Sequence, residues 1–210
     1  MAVITISRQV GSGAHEISLL VCKQLGYQLL DKDLMARVGA EAGLTSGEVV
    51  DLTAEEHHVP GRLERFFSMP FQDASAIRSY EASGAAAEDR SSMLVHKIIL
   101  AAYEQGNLVV PGRGGQLVLR DKPGVLHVRV VAPPEQRIAY LMKRDGITAD
   151  AARNVMKRAD TAADDYIRRY YQAELADPLL YHCIINTGMV TLAATADLII
   201  KAMESLPSTA

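Results

Sequence analysis

Apolar and polar positions follow two rhythms along this chain. "AVITI" (2–6), "YQLL" (27–30), "NLVVP" (107–111), "VLHVRVV" (125–131) and "YHCIIN" (181–186) are short apolar runs bounded by turn residues, as buried strands are. Between them the apolar positions fall three and four apart. Ile17, Leu20, Val21 and Leu25 share one helical face, and Gly26 marks its stop. Another helix is predicted to start near Asp31, with more over roughly 90–105, 134–144, 149–173 and 190–203. Five strands separated by helices predict an α/β domain whose parallel sheet is covered on both faces.

Residues 43–90 break the rhythm. They are rich in Ala, Ser, Gly and Glu and lack strand signals, which predicts an insertion with small helices of its own. All three phenylalanines, Phe66, Phe67 and Phe71, lie there. Such a cluster either packs back onto the domain or marks a substrate flap or an oligomer contact, a homodimer being the simplest assembly.

The first strand runs into "SRQVGSGAHEI" and then into the amphipathic helix. Successive backbone N–H groups at a helix N-terminus hold anions, and Gly11 and Gly13 permit the backbone geometry. The common phosphate-loop pattern G-x-x-x-x-G-K-[ST] places Arg8 at its first glycine, Ala14 at its lysine and His15 at its Mg²⁺-binding hydroxyl. The backbone cradle over Gly11, Ser12, Gly13, Ala14, His15 and Glu16 survives, and the lysine does not. Arg8 and His15 are the nearest replacement cations. His15 is equally an ordinary first-turn residue, and Glu16 either complements the helix dipole or reaches Mg²⁺ through water. Arg8 leaves a buried strand at the edge where ligands bind in α/β sheets.

"PGRGG" (111–115) brings Arg113 out at the same edge, beside glycines that permit close approach of a phosphate. A plain turn with a solvated arginine reads the same way. Arg137, Arg144, Arg153, Arg158, Arg168 and Arg169, with Lys143 and Lys157, then spread over two helices among Asp145, Asp160, Asp164 and Asp165. This is either a solvated face of i,i+4 pairs or a lid that closes guanidinium groups over a phosphoryl group.

Composition narrows the partners. The chain has 210 residues, 49% apolar and 22% charged, with a net charge of -3. That balance fits one globular domain without a global basic field for nucleic acid. No apolar run approaches membrane-spanning length, and Cys22 and Cys183 sit in apolar runs without metal-ligand spacing. A reduced, cytoplasmic protein is expected.

"ITISRQVGSGAHEI", "LLDKDLM", "VVPGRGG", "LHVRVVAPPEQRI" and "DPLLYHCIINTGMVTLAATADLI" together resemble the cytidylate kinase-like family, within the P-loop nucleoside monophosphate kinases. The similarity covers nearly the whole chain and is weakest over 43–90. Its branch reads S-R-x-x-G-S-G-G-x-x-I, without the lysine. The resemblance implies a three-layer P-loop fold, an acceptor-binding insertion and a lid-like region over 137–170 that includes Arg137, Arg144, Arg153 and Asp160. It implies ATP and Mg²⁺ as cofactors, and transfer to a nucleoside monophosphate or another small acceptor. It places Arg113 near the acceptor phosphate, Asp31 at the pocket mouth, and Asn186 and Thr187 near the nucleotide base. The chain departs from the family at Pro111 (usually aspartate), Ala14 (glycine in the branch) and Ala163 (the arginine of D-x-x-R). A nucleotide-binding sensor without catalysis, or a structural protein with a vestigial loop, are the alternatives.

Overall fold

In the computed structural model, which describes residues 2–44 and 85–207, five parallel strands form one sheet in the order β2-β3-β1-β4-β5. The strands are β1 Val3–Arg8, β2 Gln28–Leu29, β3 Leu108–Pro111, β4 Val125–Val131 and β5 Cys183–Asn186. The helices are α1 Ala14–Leu25, α2 Lys32–Glu41, α3 Ala85–Gln105, α4 Gly115–Val118, α5 Pro134–Asp145, α6 Ala149–Tyr171 and α7 Leu192–Glu204.

β1 lies at the centre because its side chains are buried on both faces. Ile4 and Ile6 point into a cluster with Ile17 and Val21 of α1 and Ala196 and Ile199 of α7. Val3 joins Leu34 and Val38 of α2, Ile98 and Tyr103 of α3, and Val110 on the opposite face. Each fully buried isoleucine or leucine contributes about 1.5–3 kcal/mol, so these two layers account for most of the cohesion. Local signals agree with the elements. Asp31 caps α2 by accepting from the Leu34 N–H at 2.9 Å, and Thr148 and Thr191 cap α6 and α7.

Several boundaries differ from expectation. β1 continues to Arg8, because Ser7 and Arg8 stay paired with Arg129 and Val130 of β4. β5 begins only at Cys183, since Pro178–Leu180 form a 3₁₀ turn just before it. α3 is already helical at Ala85, the first described residue of its segment, in an alanine-rich stretch without apolar periodicity. The small helices expected within 43–90, and the Phe66, Phe67 and Phe71 cluster with its dimer contact, fall on residues 45–84, outside the described residues.

The topology positions the site. β3 and β4 flank β1, and the chain leads away from β1 to opposite sides of the sheet. At such a switch point the carboxyl ends of the strands open a crevice. The turns after β1, β3 and β5 meet there.

Candidate functional site

The turn after β1 is a tight cradle. Gly11 and Gly13 take left-handed φ values of 84° and 75°. A Cβ on Gly13 would stand 2.6 Å from Leu192 Cδ2, and one on Gly11 would stand 2.7 Å from the Arg137 carbonyl oxygen. Neighbours clamp the loop from several sides. Gln9 N–H donates to Val130 O at 3.0 Å, Thr187 Oγ1 to Ser12 O at 2.9 Å, and Arg137 Nε to Val10 O at 2.6 Å. The N–H groups of Ala14, His15 and Glu16 form the first turn of α1, where a helix has no internal partners for them. Ser12 Oγ and Glu16 Oε2 are buried without a hydrogen-bond partner.

Cations converge at the mouth of this cradle. Arg8 ends β1 beside the loop. Burial first, then the nearby Arg113 and Arg144 guanidiniums, bring its pKa down to about 10, so it remains charged at neutral pH. Like charges drawn together in a cleft are favoured where an anion sits among them. Arg113 lies in a run of three left-handed residues, Gly112 (φ 70°), Arg113 (56°) and Gly114 (70°). Only the middle residue carries a side chain, and a non-glycine residue there stores strain of a kind that concentrates at functional sites. Its Nη1 donates to the Leu30 carbonyl at 3.1 Å, which ties the turn after β3 to the end of β2. Arg144 pairs with Asp145 and stacks over Tyr140, whose hydroxyl donates to Glu16 Oε1. Burial and that carboxylate push the Tyr140 pKa up.

α6 lies over the crevice. Asn154, Lys157, Arg158, Thr161, Asp165 and Arg169 recur at three- and four-residue intervals and turn one polar face toward it. Between this face and the ends of β1 and β3 is a cavity of about 550 Å³, with Ser7, Arg8, Arg113 and Gln116 on its sheet side and Val10, Ile167 and Leu175 as apolar lining. Ala163, where the family pattern has arginine, lines it too.

A buried polar layer supports the sheet side. Arg129 Nη1 donates to Ser7 Oγ at 3.0 Å and to Tyr181 Oη at 3.2 Å, and Tyr181 donates to Leu175 O at 3.0 Å. The arginine therefore braces the residue before Arg8. Below it Thr5 Oγ1 and His127 Nδ1 are 2.8 Å apart. Burial, and secondly His182, lower the His127 pKa to about 4.

The structure brings together Arg8, Gly11, Ser12, Gly13, Ala14, Glu16 and Thr187 around one loop, with Arg113 across the cavity. His15 is exposed on the first turn of α1. Asn186 accepts from the Gly188 N–H at 2.9 Å and shapes the turn after β5. Asp31 is exposed and serves α2 as its cap, one residue from the carbonyl that receives Arg113. The lid candidates separate. Arg137 Nη2 donates to both carboxylate oxygens of Asp160, at 2.7 and 2.8 Å, which joins α5 to α6. Arg153 pairs with Asp150 and is absent from the cavity lining. Lys157, Arg158 and Arg169 face the cavity instead, and the helical register was the signal that distinguishes them. Gln116 carried no signal in the sequence.

A family model for the cytidylate kinase-like family matches residues 3–189, and the chain belongs to that family. A cytidylate kinase of Archaeoglobus fulgidus is 23% identical over 203 residues, covering 96% of this chain and 94% of the relative. A uronate isomerase of Corynebacterium glutamicum is 29% identical over 120 residues, covering 57% of this chain. The match spans only 23% of that isomerase. Among solved structures, an uncharacterised protein of Eubacterium ventriosum has a TM-score of 0.67 at 20% identity, covering 98% of this chain and 99% of the other. The shikimate kinase of Acinetobacter baumannii in complex with shikimate has a TM-score of 0.51 at 13% identity, covering 98% and 94%. At these identities the structural likeness defines the fold, which is that of the P-loop kinases. No helix among the described residues is long and apolar enough to cross a membrane.

Proposed function

We propose that this chain is a phosphotransferase that moves the γ-phosphoryl group of ATP to a small acceptor of the nucleoside monophosphate type. The observation that carries the reading is that Arg8, at the end of β1 beside the N–H cradle of α1, lines one cavity with Arg113. In this reading the backbone of residues 11–16 holds the donor phosphates and Arg8 takes the place of the missing lysine. Arg113 holds the acceptor's anionic group. The acceptor oxygen forms a bond to the γ-phosphorus as the bond to the β,γ-bridging oxygen breaks, and that electron pair leaves with ADP. Catalysis then consists of placing two anions in line and stabilising the charge between them.

Mg²⁺ fits the site through a single carboxylate. Glu16 Oε2 is a buried oxygen without a partner, the hard donor that this ion takes. Among the described residues no group of three or more His, Cys, Asp or Glu side chains could enclose a metal. The ion would therefore arrive with the nucleotide and supply a divalent charge beside the phosphates. The chain's own groups orient those phosphates, and α6 excludes water above them.

Two observations favour a second reading, a nucleotide-binding protein without turnover. Ala14 takes the place of the lysine, and Ala163 opens onto the cavity in place of an arginine. Thermal unfolding with ATP and Mg²⁺, followed by an assay for ADP with CMP and other monophosphates, separates the two. A nucleotide at 100 times its Kd adds about 2.7 kcal/mol. Stabilisation with ADP release supports the transferase, stabilisation alone supports the sensor, and neither leaves the loop without a ligand.

A further inference from the structure

Gln116 is only 2% exposed, yet its Nε2 has no hydrogen-bond partner. Buried side-chain amides nearly always find partners, because an unmade bond loses the hydration of the group without return. Packing holds it in place. A Cβ on the adjacent Gly115 would stand 3.0 Å from Val110 Cγ1 and 3.3 Å from Thr5 Cγ2, so α4 sits hard against the sheet. A leucine would fill the same volume without an orphaned donor. Gln116 lines the same cavity as Arg8 and Arg113.

The cavity defines what could complete it. Its volume of about 550 Å³ lies within the range of small-molecule sites, about 300–1,000 Å³. Arg8, Arg113, Lys157 and Arg158 face it, against Asp165 as the carboxylate among the described lining residues. That balance suits a phosphomonoester dianion better than a neutral sugar or nucleoside. Ile167 and Leu175 offer an apolar wall for a flat ring.

We propose that Gln116 is a specificity-determining residue of the acceptor pocket, where its side-chain amide donates a hydrogen bond to a nucleoside 5′-monophosphate bound between Arg113 and α6. The inference rests on the phosphotransferase reading and adds to it a residue and a ligand class. The bound monophosphate satisfies the orphaned donor, so the pocket discriminates against a ligand without an oxygen or ring nitrogen at that point. Sites built around a buried polar group reject analogues that leave it unpaired.

The test compares wild type, Gln116→Leu and Gln116→Glu by thermal unfolding and by calorimetric titration with ATP, CMP, UMP, AMP and GMP. Gln116→Leu should unfold at or above the wild-type temperature without ligand and bind ATP as wild type does. It should lose about tenfold or more in affinity for the monophosphate that wild type binds best. Gln116→Glu keeps the shape, removes the donor and adds a negative charge, so it should lose more, even if the leucine variant folds poorly. The proposal is overturned if both variants keep the monophosphate affinity. It is equally overturned if wild type binds ATP but none of the four monophosphates. Failure of wild type to bind ATP would bring down the phosphotransferase reading itself, which distinguishes the two failures.

Discussion

Arg137 Nη2 donates to both carboxylate oxygens of Asp160, at 2.7 and 2.8 Å, with the guanidinium 3% exposed. Because Arg137 Nε also donates to Val10 O, the same side chain fastens the phosphate loop to the α5–α6 hairpin. Arg137 is buried while Asp160 is 33% exposed, so removing the guanidinium takes away the tie to the loop and leaves a carboxylate that water can solvate. Arg137→Ala should lower the unfolding free energy by about 2–4 kcal/mol and weaken ATP binding. Asp160→Asn leaves the Val10 bond in place but takes the counter-charge from a buried guanidinium, so it should cost stability while sparing ATP binding. Urea unfolding with and without ATP measures both effects, and an equal loss of ATP binding in the two variants would contradict this linkage.

The cradle tolerates no side chain at Gly13. Gly13→Val meets Leu192 and requires a left-handed backbone, so it should cost about 1–3 kcal/mol and abolish stabilisation by ATP. A thermal melt showing a wild-type ATP response in this variant would move the site away from the loop.

His127 makes stability depend on pH. Its pKa falls from 6.5 in the unfolded chain to about 4 in the fold. Above pH 6.5 both states are neutral and the residue contributes no slope. From pH 6.5 down to about 4 the unfolded chain takes up a proton that the fold refuses, so stability falls as pH falls. The ceiling is about 3 kcal/mol. His127→Gln should flatten the urea-unfolding profile over that window. An unchanged slope would assign the acid sensitivity to other groups.

Restoring the lysine should not improve the site. Ala14 is 3% exposed and packs with Ile17, Val21 and Ala196. An ammonium on its stem must leave that cluster and enter the space beside Arg8. Ala14→Lys is expected to lower the melting temperature and leave ATP affinity no better than wild type, as calorimetric titration would read. A clear gain in affinity would mean that Arg8 does not fill the lysine's place.

The sheet was readable because its strands are short apolar runs and its helices are amphipathic. Val3 to Ile6, the Gly13 turn and the Ile17–Val21 face follow from local pattern alone. Other features depend on contacts that no local pattern encodes. "VLHVRVV" reads as a buried strand, but nothing local in it shows that Tyr181 and Ser7 enclose Arg129. The arginine-rich stretch could not separate Arg153 from Arg158 until the register of α6 was set against the crevice. Gln116 follows two glycines and carries no signal in the sequence, and its burial arises from how α4 seats on β1 and β3. Glu16 was readable as a dipole partner, but its bond from Tyr140 crosses from α5, far along the chain.

The central claim is that Arg8 and the Gly11–Glu16 backbone hold nucleotide phosphates in place of the usual lysine. Its most direct measurement is the affinity of wild type and Arg8→Met for ATP with Mg²⁺, by calorimetric titration. Loss of a charge-assisted bond of about 1.5–3 kcal/mol predicts a Kd raised by about 10- to 150-fold in the variant. Wild-type affinity in Arg8→Met, within about twofold, would contradict the claim.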